Sequence, residues 1–469
     1  MKRTLLGTAA TLILGAVGVL SLPPRPASAE DAPAGLFDRD TLTGDWGGVR
    51  TKLIDSGVTL GVKYTGELWA VPSGGVHRGV DYEDQFLGTA DIDFEKLAGW
   101  TGGLGHVSAF SMQGRGPSFN DVGNAMDVSG IEYLGKHQRS TRLWTLWYQQ
   151  TMLDGMVSLR AGQLSVDDEF MVSSTAGGLI NTTFGYNALG FANLPAGVPN
   201  NQGLTNGPAY PLGAPGARLT VTPRDDVAWL TGVFTHQPES IDRGGAQFRF
   251  DGDAFVISEL QYLVNQAKDA TGLPAMFKLG GWYDTGNFAD PHYDTLGRSL
   301  ALAGTNGIPR QHSGEWALYA LADQTVWQGS DGRAVSLFLR GGLAPSSYAI
   351  VNSYVDFGAG YKGLIPGRES DTLTFGMAYA GVGDGIRGFD NDVRRVSGLA
   401  TPVRNYEIAL ELSYLAQLAP WWTLQPDFQY IVHPGYGAVN VNLNTNPTLN
   451  PTKAIDDAVV LGVRTTITF

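Results

Sequence analysis

The sequence predicts an all-β protein: a sixteen-stranded antiparallel transmembrane β-barrel with a short N-terminal helix. Three observations support this prediction: a secretory leader, a series of short segments with alternating hydrophobicity, and connections that alternate between long and short. Residues 1–29 have a basic start, an apolar run and a small-residue end, so we expect a signal peptide that is cleaved before Glu30. Residues 30–57 follow as an N-terminal segment with a short periplasmic helix, and residues 58–469 form the barrel.

Sixteen segments of the chain have the period of a β-strand, with apolar side chains at every second position. They are residues 58–71, 87–95, 104–112, 142–151, 156–163, 216–222, 226–235, 254–263, 275–284, 314–328, 333–344, 353–361, 370–381, 404–418, 421–433 and 457–469. We expect strict alternation of the connections, with long ones such as 72–86, 113–141 and 164–215 after the odd strands. After the leader, no apolar stretch approaches the ~20 residues of a membrane helix.

The alternation predicts an apolar outer face against lipid and a polar face toward the lumen. A soluble β-sandwich shows the same alternation, so a single strand does not distinguish the two folds. The leader, the even strand number and the loop lengths favour the membrane barrel. Aromatic residues near strand ends also fit a membrane-interface girdle, namely Trp69, Trp100, Tyr361, Trp421 and Trp422.

Charge and cysteine content narrow the function. Without the leader, the chain carries 29 basic and 45 acidic residues, which disfavours a nucleic-acid partner. The sequence contains no cysteine, so a secreted protein of this length depends on hydrogen bonds rather than disulfides.

The N-terminal segment contains a one-sided helix. Asp45 is placed to cap it, Trp46, Val49 and Leu53 share a face, and Gly57 is placed to end it. We expect this helix to pack on the periplasmic side of the barrel in a structural role.

Six blocks of the sequence resemble the OprB family of carbohydrate-selective porins. They are LTGDWGGVRTKLIDSGVTLGVKYTGELWA, which starts at Leu42, and LRAGQLSVDDEF, GGWYDTGNFAD, ALADQTVW, YKGLIPGRESD and TLQPDFQYIVHPG. The resemblance implies a sixteen-stranded outer-membrane channel for sugars. It also implies that the terminal Phe469 is an insertion signal for the barrel-assembly machinery.

Patterns for catalysis or cofactors are missing. The sequence has no HExxH and no GxSxG, and its seven histidines are scattered, so we predict neither an enzyme nor a bound metal or cofactor. Gly383–Gly388 matches GxGxxG, but we expect a mobile outer loop there. Asp91, Asp93 and Glu95 alternate along one segment and fit lumen-facing charges, although calcium binding or glycoside hydrolysis would use the same residue types.

Strand parity places a set of charged side chains in the lumen. The basic ones are Arg160, Arg218, Lys278, Arg340 and Arg464, and the acidic ones are Glu67, Asp91, Asp93, Glu259, Asp356, Glu407, Glu411 and Asp427. Opposed charges across a narrow pore would order water and polar solutes. Plain solvation of the lumen, without selectivity, is the alternative for each of them.

Segment 164–215 is too long for an ordinary connection. The resemblance to a porin family implies that it folds into the barrel and sets the constriction. Its candidate residues are Asp167, Asp168, Glu169, Phe170, Phe184 and Tyr186. Aromatic faces and carboxylates could bind a pyranose ring, or the aromatic rings could anchor the segment to the wall.

These observations favour a passive outer-membrane channel for monosaccharides, small oligosaccharides or polyols. A channel for other small solutes, a secreted hydrolase and a surface adhesin are the alternatives. Expected partners are small sugars or polyols, outer-membrane lipid and the assembly machinery, and the barrel is either a monomer or a homotrimer.

Overall fold

The computed structural model describes residues 35–132, 139–193, 207–236, 244–246, 248, 250, 252–267, 270–442 and 444–469. Sixteen strands pair antiparallel with their sequence neighbours, and β1 pairs with β16 to close the barrel. The strands are β1 Val58–Gly75, β2 Gly79–Asp93, β3 Gly103–Gly114, β4 Arg139–Met152, β5 Val157–Leu164, β6 Ala214–Arg224, β7 Val227–Thr235, β8 Ala254–Val264, β9 Ala275–Asp294, β10 Pro309–Gln328, β11 Ala334–Leu343, β12 Val351–Lys362, β13 Thr372–Val382, β14 Tyr406–Ala419, β15 Trp422–Val432 and β16 Asp456–Thr468. Each overlaps one predicted segment, so the predicted strand number and order are confirmed. The predicted leader, residues 1–29, lies outside the described residues.

Short helices lie between or before the strands. They are α1 Val49–Asp55, α2 Phe94–Ala98, α3 Thr182–Gly185, α4 Ala188–Phe191, α5 Asp384–Ser397 and α6 Pro434–Gly437. Single tighter or wider helical turns cover Leu36–Asp38, Trp46–Gly48, Ser118–Val122, Val166–Asp168 and Ala176–Gly178. Within the described residues, none of the helices has the length and apolar character needed to span a membrane.

The two faces of the wall follow the period of two. On β1, Leu60, Val62 and Leu68 are exposed outward, while Glu67 and Trp69 are buried inside. The position of Trp69 corrects its assignment to the outer aromatic girdle. Its indole Nε1 donates to Glu67 at 2.9 Å and to Glu83 at 3.2 Å, so its polar atom is satisfied within the lumen.

The predicted strict alternation of loop lengths is wrong at two places. β1 and β2 are joined by the tight connection 76–78, while the longer 94–102 follows β2. Connection 344–350 is likewise shorter than the following 363–371. In the first case the predicted loop 72–86 is mostly strand, because β1 and β2 remain paired as far as Val71 and Gly79. The other long connections, including 115–138 and 165–213, follow odd strands as expected.

The N-terminal segment packs along the end of β16. The N-cap of α1 is Gly48 rather than the predicted Asp45, although the Asp45 carboxylate accepts from the Thr51 backbone N–H in the first turn at 2.8 Å. Arg50 donates to the backbone oxygen of Phe469 at 2.8 Å. Trp46 and Val49, however, are 42% and 49% exposed, so the predicted apolar face does not pack on the barrel. Polar and backbone hydrogen bonds hold this segment instead.

The seam between the first and last strands depends on a glycine. A Cβ at Gly462 would lie 2.0 Å from the ring of Trp69, its cross-strand partner. The substitution Gly462→Ala should therefore destabilise the barrel by about 1–3 kcal/mol, because the buried ring has no room to move. We expect a lower temperature for the heat-induced mobility shift of the folded protein on gels.

The matched control is Gly88→Ala on β2. A Cβ at Gly88 would meet only the Ala109 oxygen, at 3.9 Å. This variant should keep the parental transition temperature. Equal transition temperatures for the two variants would contradict the packing argument.

Candidate channel constriction

The described residues of segment 165–213, namely 165–193 and 207–213, lie inside the barrel, where carboxylates of the wall accept hydrogen bonds from the backbone of this segment. Glu259 accepts from the Met171 N–H at 2.8 Å. Glu411 accepts from the N–H groups of Ile180 and Asn181 at 2.5 and 3.0 Å. These contacts tie one long connection to the inner faces of both β8 and β14.

Arg340 on β11 binds the same segment through a positively charged side chain. Its guanidinium forms an ion pair with Asp356 and is fully enclosed. It also donates to backbone carbonyls of the segment, namely those of Met171, Thr183, Phe184 and Gly185, at 2.8–3.1 Å. One side chain thereby satisfies four carbonyl groups that would otherwise be buried without partners.

The aromatic residues of the segment anchor it to the wall. Phe170, Phe184 and Tyr186 are all buried. Phe184 packs edge-to-face on Phe338 of β11, with ring centroids 6.1 Å apart. Of the two roles that the sequence allowed, anchoring is the one that the geometry supports, since none of these rings offers an open face to a solute.

A second connection, after β3, also reaches the lumen. Glu407 accepts from the backbone N–H groups of Ala125 and Met126, at 2.7–3.0 Å. The Thr182 N–H donates to the Asp127 carbonyl at 3.0 Å, so this connection contacts segment 165–213 directly. The sequence predicts residues 113–141 only as a long loop, because no local pattern marks a loop that folds inward.

The predicted pore-lining set therefore needs correction. Apart from Asp93, its members lie on the inner face, but Glu259, Arg340, Glu407 and Glu411 are covered by the two loops. Lys278 pairs with Glu259 at 3.3 Å and belongs to the same covered wall. Asp427 is also buried, and it accepts from Gln429 at 3.0 Å. These side chains position the loops rather than face a passage.

A different group of charges meets at the tip of the inward segment. Glu169 lies between two guanidiniums, at 3.3 Å from Arg160 and 2.6 Å from Arg218. Gln149 Oε1 accepts from both arginines, at 2.9 and 3.0 Å. The Glu169 side chain keeps 19% of its surface exposed and Gln149 is half-buried, whereas Arg160 and Arg218 are buried, so the carboxylate and the amide are the members of this group that reach open space. We call Arg160, Arg218, Glu169 and Gln149 the constriction cluster.

The electrostatics of the inward segment favour an excess of positive charge at the constriction cluster. Burial raises the pKa of Glu169, but Arg160 and Arg218 outweigh that effect and hold its pKa below the ordinary value. The neighbouring Asp168 differs, since burial and the charge of Asp167 raise its pKa well above normal. Glu169 is thus ionised at neutral pH and is shared by two cations.

Strands β2 to β5 carry a stack of side chains beside the constriction cluster. Arg160 lies over the ring of Trp147 at 3.8 Å, and His106 stacks on the same ring at 4.9 Å. The His106 Nδ1 bonds Asp91 at 2.6 Å. Of the three alternating carboxylates, only Asp91 has this lumen contact. Asp93 caps α2 through the N–H groups of Glu95 and Lys96, which corrects the prediction of a row of lumen charges.

The prediction of a mobile outer loop at the GxGxxG stretch is wrong. These residues form the start of helix α5. Its glycines allow close packing: a Cβ at Gly385 would lie 2.2 Å from the Ser347 oxygen, and one at Gly388 would lie 2.6 Å from His292 Nδ1. Asp384 occupies the first turn and pairs with Arg387.

Arg464, the last of the basic residues predicted to face the lumen, lies on β16. Arg464 Nε bonds Glu67 at 2.5 Å, and its Nη2 donates to Ser129 at 3.3 Å. Within the described residues, no group of three or more His, Cys, Asp or Glu side chains could hold a metal ion.

A closed sixteen-stranded barrel whose inward loops leave a narrow, charged lumen has the architecture of a porin. The sequence profile of the carbohydrate-selective porins of the OprB family matches residues 77–469. The chain therefore belongs to the OprB family.

Individual relatives are similar to this chain over nearly its whole length. Porin B of Pseudomonas aeruginosa is 25% identical over 434 residues, covering 90% of this chain and 92% of the relative. The putative porin QuiX of Acinetobacter baylyi is 23% identical over 467 residues, covering 92% and 94%. The high-pH structure of Pseudomonas putida OprB superposes with a TM-score of 0.78 at 23% identity, over 93% of this chain and all of that one. The low-pH structure of the same protein gives 0.54 at 19% identity, over 92% and 99%.

Proposed function

We propose that this porin lets monosaccharides, small oligosaccharides or polyols diffuse passively across the outer membrane, with the constriction cluster as its narrow zone. The observation that carries the proposal is the inward fold of segment 165–213, which places Glu169 between Arg160 and Arg218. Family membership supports sugars as the solute class. The passage involves no catalysis and no energy input.

The chemistry of the constriction cluster suits hydroxyl groups. Guanidinium N–H groups donate and the carboxylate and amide oxygens accept, so neighbouring hydroxyls of one sugar can replace water on both kinds of partner. Arg160 and His106 both pack against the ring of Trp147. Recognition at this zone therefore relies on hydrogen bonds rather than on stacking of a sugar on Trp147.

Biogenesis forms a separate part of the proposal. Export through residues 1–29 and insertion through Phe469 would act at different steps. In the folded chain the Phe469 N–H donates to the Val62 carbonyl at 2.9 Å, which leaves the residue at the seam between β16 and β1. Outer-membrane lipid would cover exposed outward residues such as Leu339 and Leu279.

Liposome swelling tests the proposed function. Liposomes that contain the full folded chain should swell in isotonic glucose or sorbitol and swell more slowly in a larger oligosaccharide, because passage depends on size. Liposomes with heat-unfolded protein are the control.

Absence of swelling in every sugar, together with absence of conductance in planar bilayers, would favour an adhesin or a structural barrel. Equal swelling rates in sugars and in non-sugar solutes of the same size would favour a general channel. Release of reducing ends from an added glycoside would favour the hydrolase.

A further inference from the structure

One cation of the lumen has no counter-ion. Lys63 lies on the inner face of β1, between Leu87 of β2 and Thr468 of β16, and is half-buried. Among the residues that the structure describes, no carboxylate lies within ion-pair distance of its ammonium and no hydrogen bond reaches it. Most other lumen cations are paired, as Lys278 is with Glu259 and Arg340 is with Asp356.

A second cation, Arg464 on β16, makes this position more positive. Arg464 is close enough to act electrostatically on Lys63. Arg464 is bonded to Glu67, so the two cations share one carboxylate, just as Arg160 and Arg218 share Glu169. The other acidic side chains on the inner faces of β2 and β15 form no ion pair with the ammonium; they are Asp81, Glu83, Asp91 and Asp427, of which Asp81 pairs with Arg115 and Asp91 with His106. A half-buried cation without a protein partner attracts an anion, since water compensates its charge only in part.

We propose that the channel also admits sugar acids, the hydroxylated carboxylates of the aldonate and uronate class, and that Lys63 receives their carboxylate. The inference rests on the proposed sugar passage and extends it from neutral to anionic carbohydrates. In the proposed passage, the carboxylate would meet Lys63 and Arg464, while the hydroxyls would meet polar side chains of the same wall. A neutral sugar has no group that uses the unpaired ammonium in this way.

Uptake of radiolabelled D-gluconate and D-glucose into proteoliposomes tests the proposal, because the two solutes have similar size and hydroxyl content. The full-length chain should take up gluconate at least as fast as glucose. The substitution Lys63→Met should slow gluconate uptake by about tenfold, the effect of losing one charge-assisted hydrogen bond, and leave glucose uptake unchanged. Lys63→Arg should retain most of the gluconate uptake.

Lys96→Met is the matched control, because Lys96 is exposed on α2 outside the barrel wall. It should alter neither uptake rate. Glucose uptake and gel mobility before heating confirm that each variant is folded.

Three outcomes would overturn the proposal. Glucose uptake without gluconate uptake leaves the proposed function standing and rejects the sugar-acid inference. Equal slowing of both solutes by Lys63→Met rejects Lys63 as a carboxylate site. Uptake of neither solute by the parental chain rejects the proposed function and the inference together, whereas uptake of gluconate alone supports the inference and rejects a channel for neutral sugars.

Discussion

Replacing Arg340 by methionine should release segment 165–213 from the barrel wall and raise the single-channel conductance. The change leaves Asp356 charged and enclosed and removes the donors to four backbone carbonyls of the segment. Removing one partner of a buried ion pair destabilises the folded state by about 3–5 kcal/mol. This free energy is large compared with that of the few contacts that hold a loop in place. We expect a larger single-channel conductance and a noisier current in planar bilayers, and we expect sugars to lose their block of the channel.

The control is Arg333→Met, because Arg333 lies at the turn before β11 and pairs with the exposed Asp331. This variant should conduct like the parent. The barrel itself should persist in Arg340→Met, since its strands remain paired, and the unheated protein should still show the gel shift. Unchanged conductance and unchanged sugar block in Arg340→Met would mean that Arg340 does not hold the loop.

Neutralising Arg160 and Arg218 together, as Arg160→Met with Arg218→Met, should shift ion selectivity strongly toward cations. Both guanidiniums pair with Glu169, so their loss leaves one uncompensated carboxylate in a narrow passage. Sugar block should weaken as well. Each hydrogen bond lost from a sugar hydroxyl is worth roughly 1 kcal/mol, or about a fivefold rise in the half-blocking concentration.

Arg224→Met offers a control on the same strand. Arg224 is 66% exposed at the turn end of β6 and pairs with Asp226. Its loss should leave the reversal potential in a salt gradient and the sugar block unchanged. If the double variant also keeps both properties, the constriction lies elsewhere along segment 165–213.

Most of the barrel could be read from the sequence, because its information is local. Successive side chains of a strand point to opposite faces, so the series Leu60, Val62 and Leu68 places Glu67 inside without knowledge of any other strand. The same rule placed Arg160, Arg218 and Arg464 in the lumen. The missed helix α5 shows the limit of local patterns, since its glycines serve contacts with Ser347 and His292 that are distant in sequence.

What only the tertiary structure decided is which inward side chains remain open to the lumen. Arg340 and Lys63 are equivalent in the sequence, since both are cations at inward positions of alternating strands. Arg340 is covered because the carbonyls of segment 165–213 meet it, whereas Lys63 has no hydrogen bond or ion pair with any residue that the structure describes. Whether an inward side chain is covered depends on backbone groups of the loops, which must find hydrogen-bond partners far along the chain. The alternation of a strand carries no information about where those groups bind.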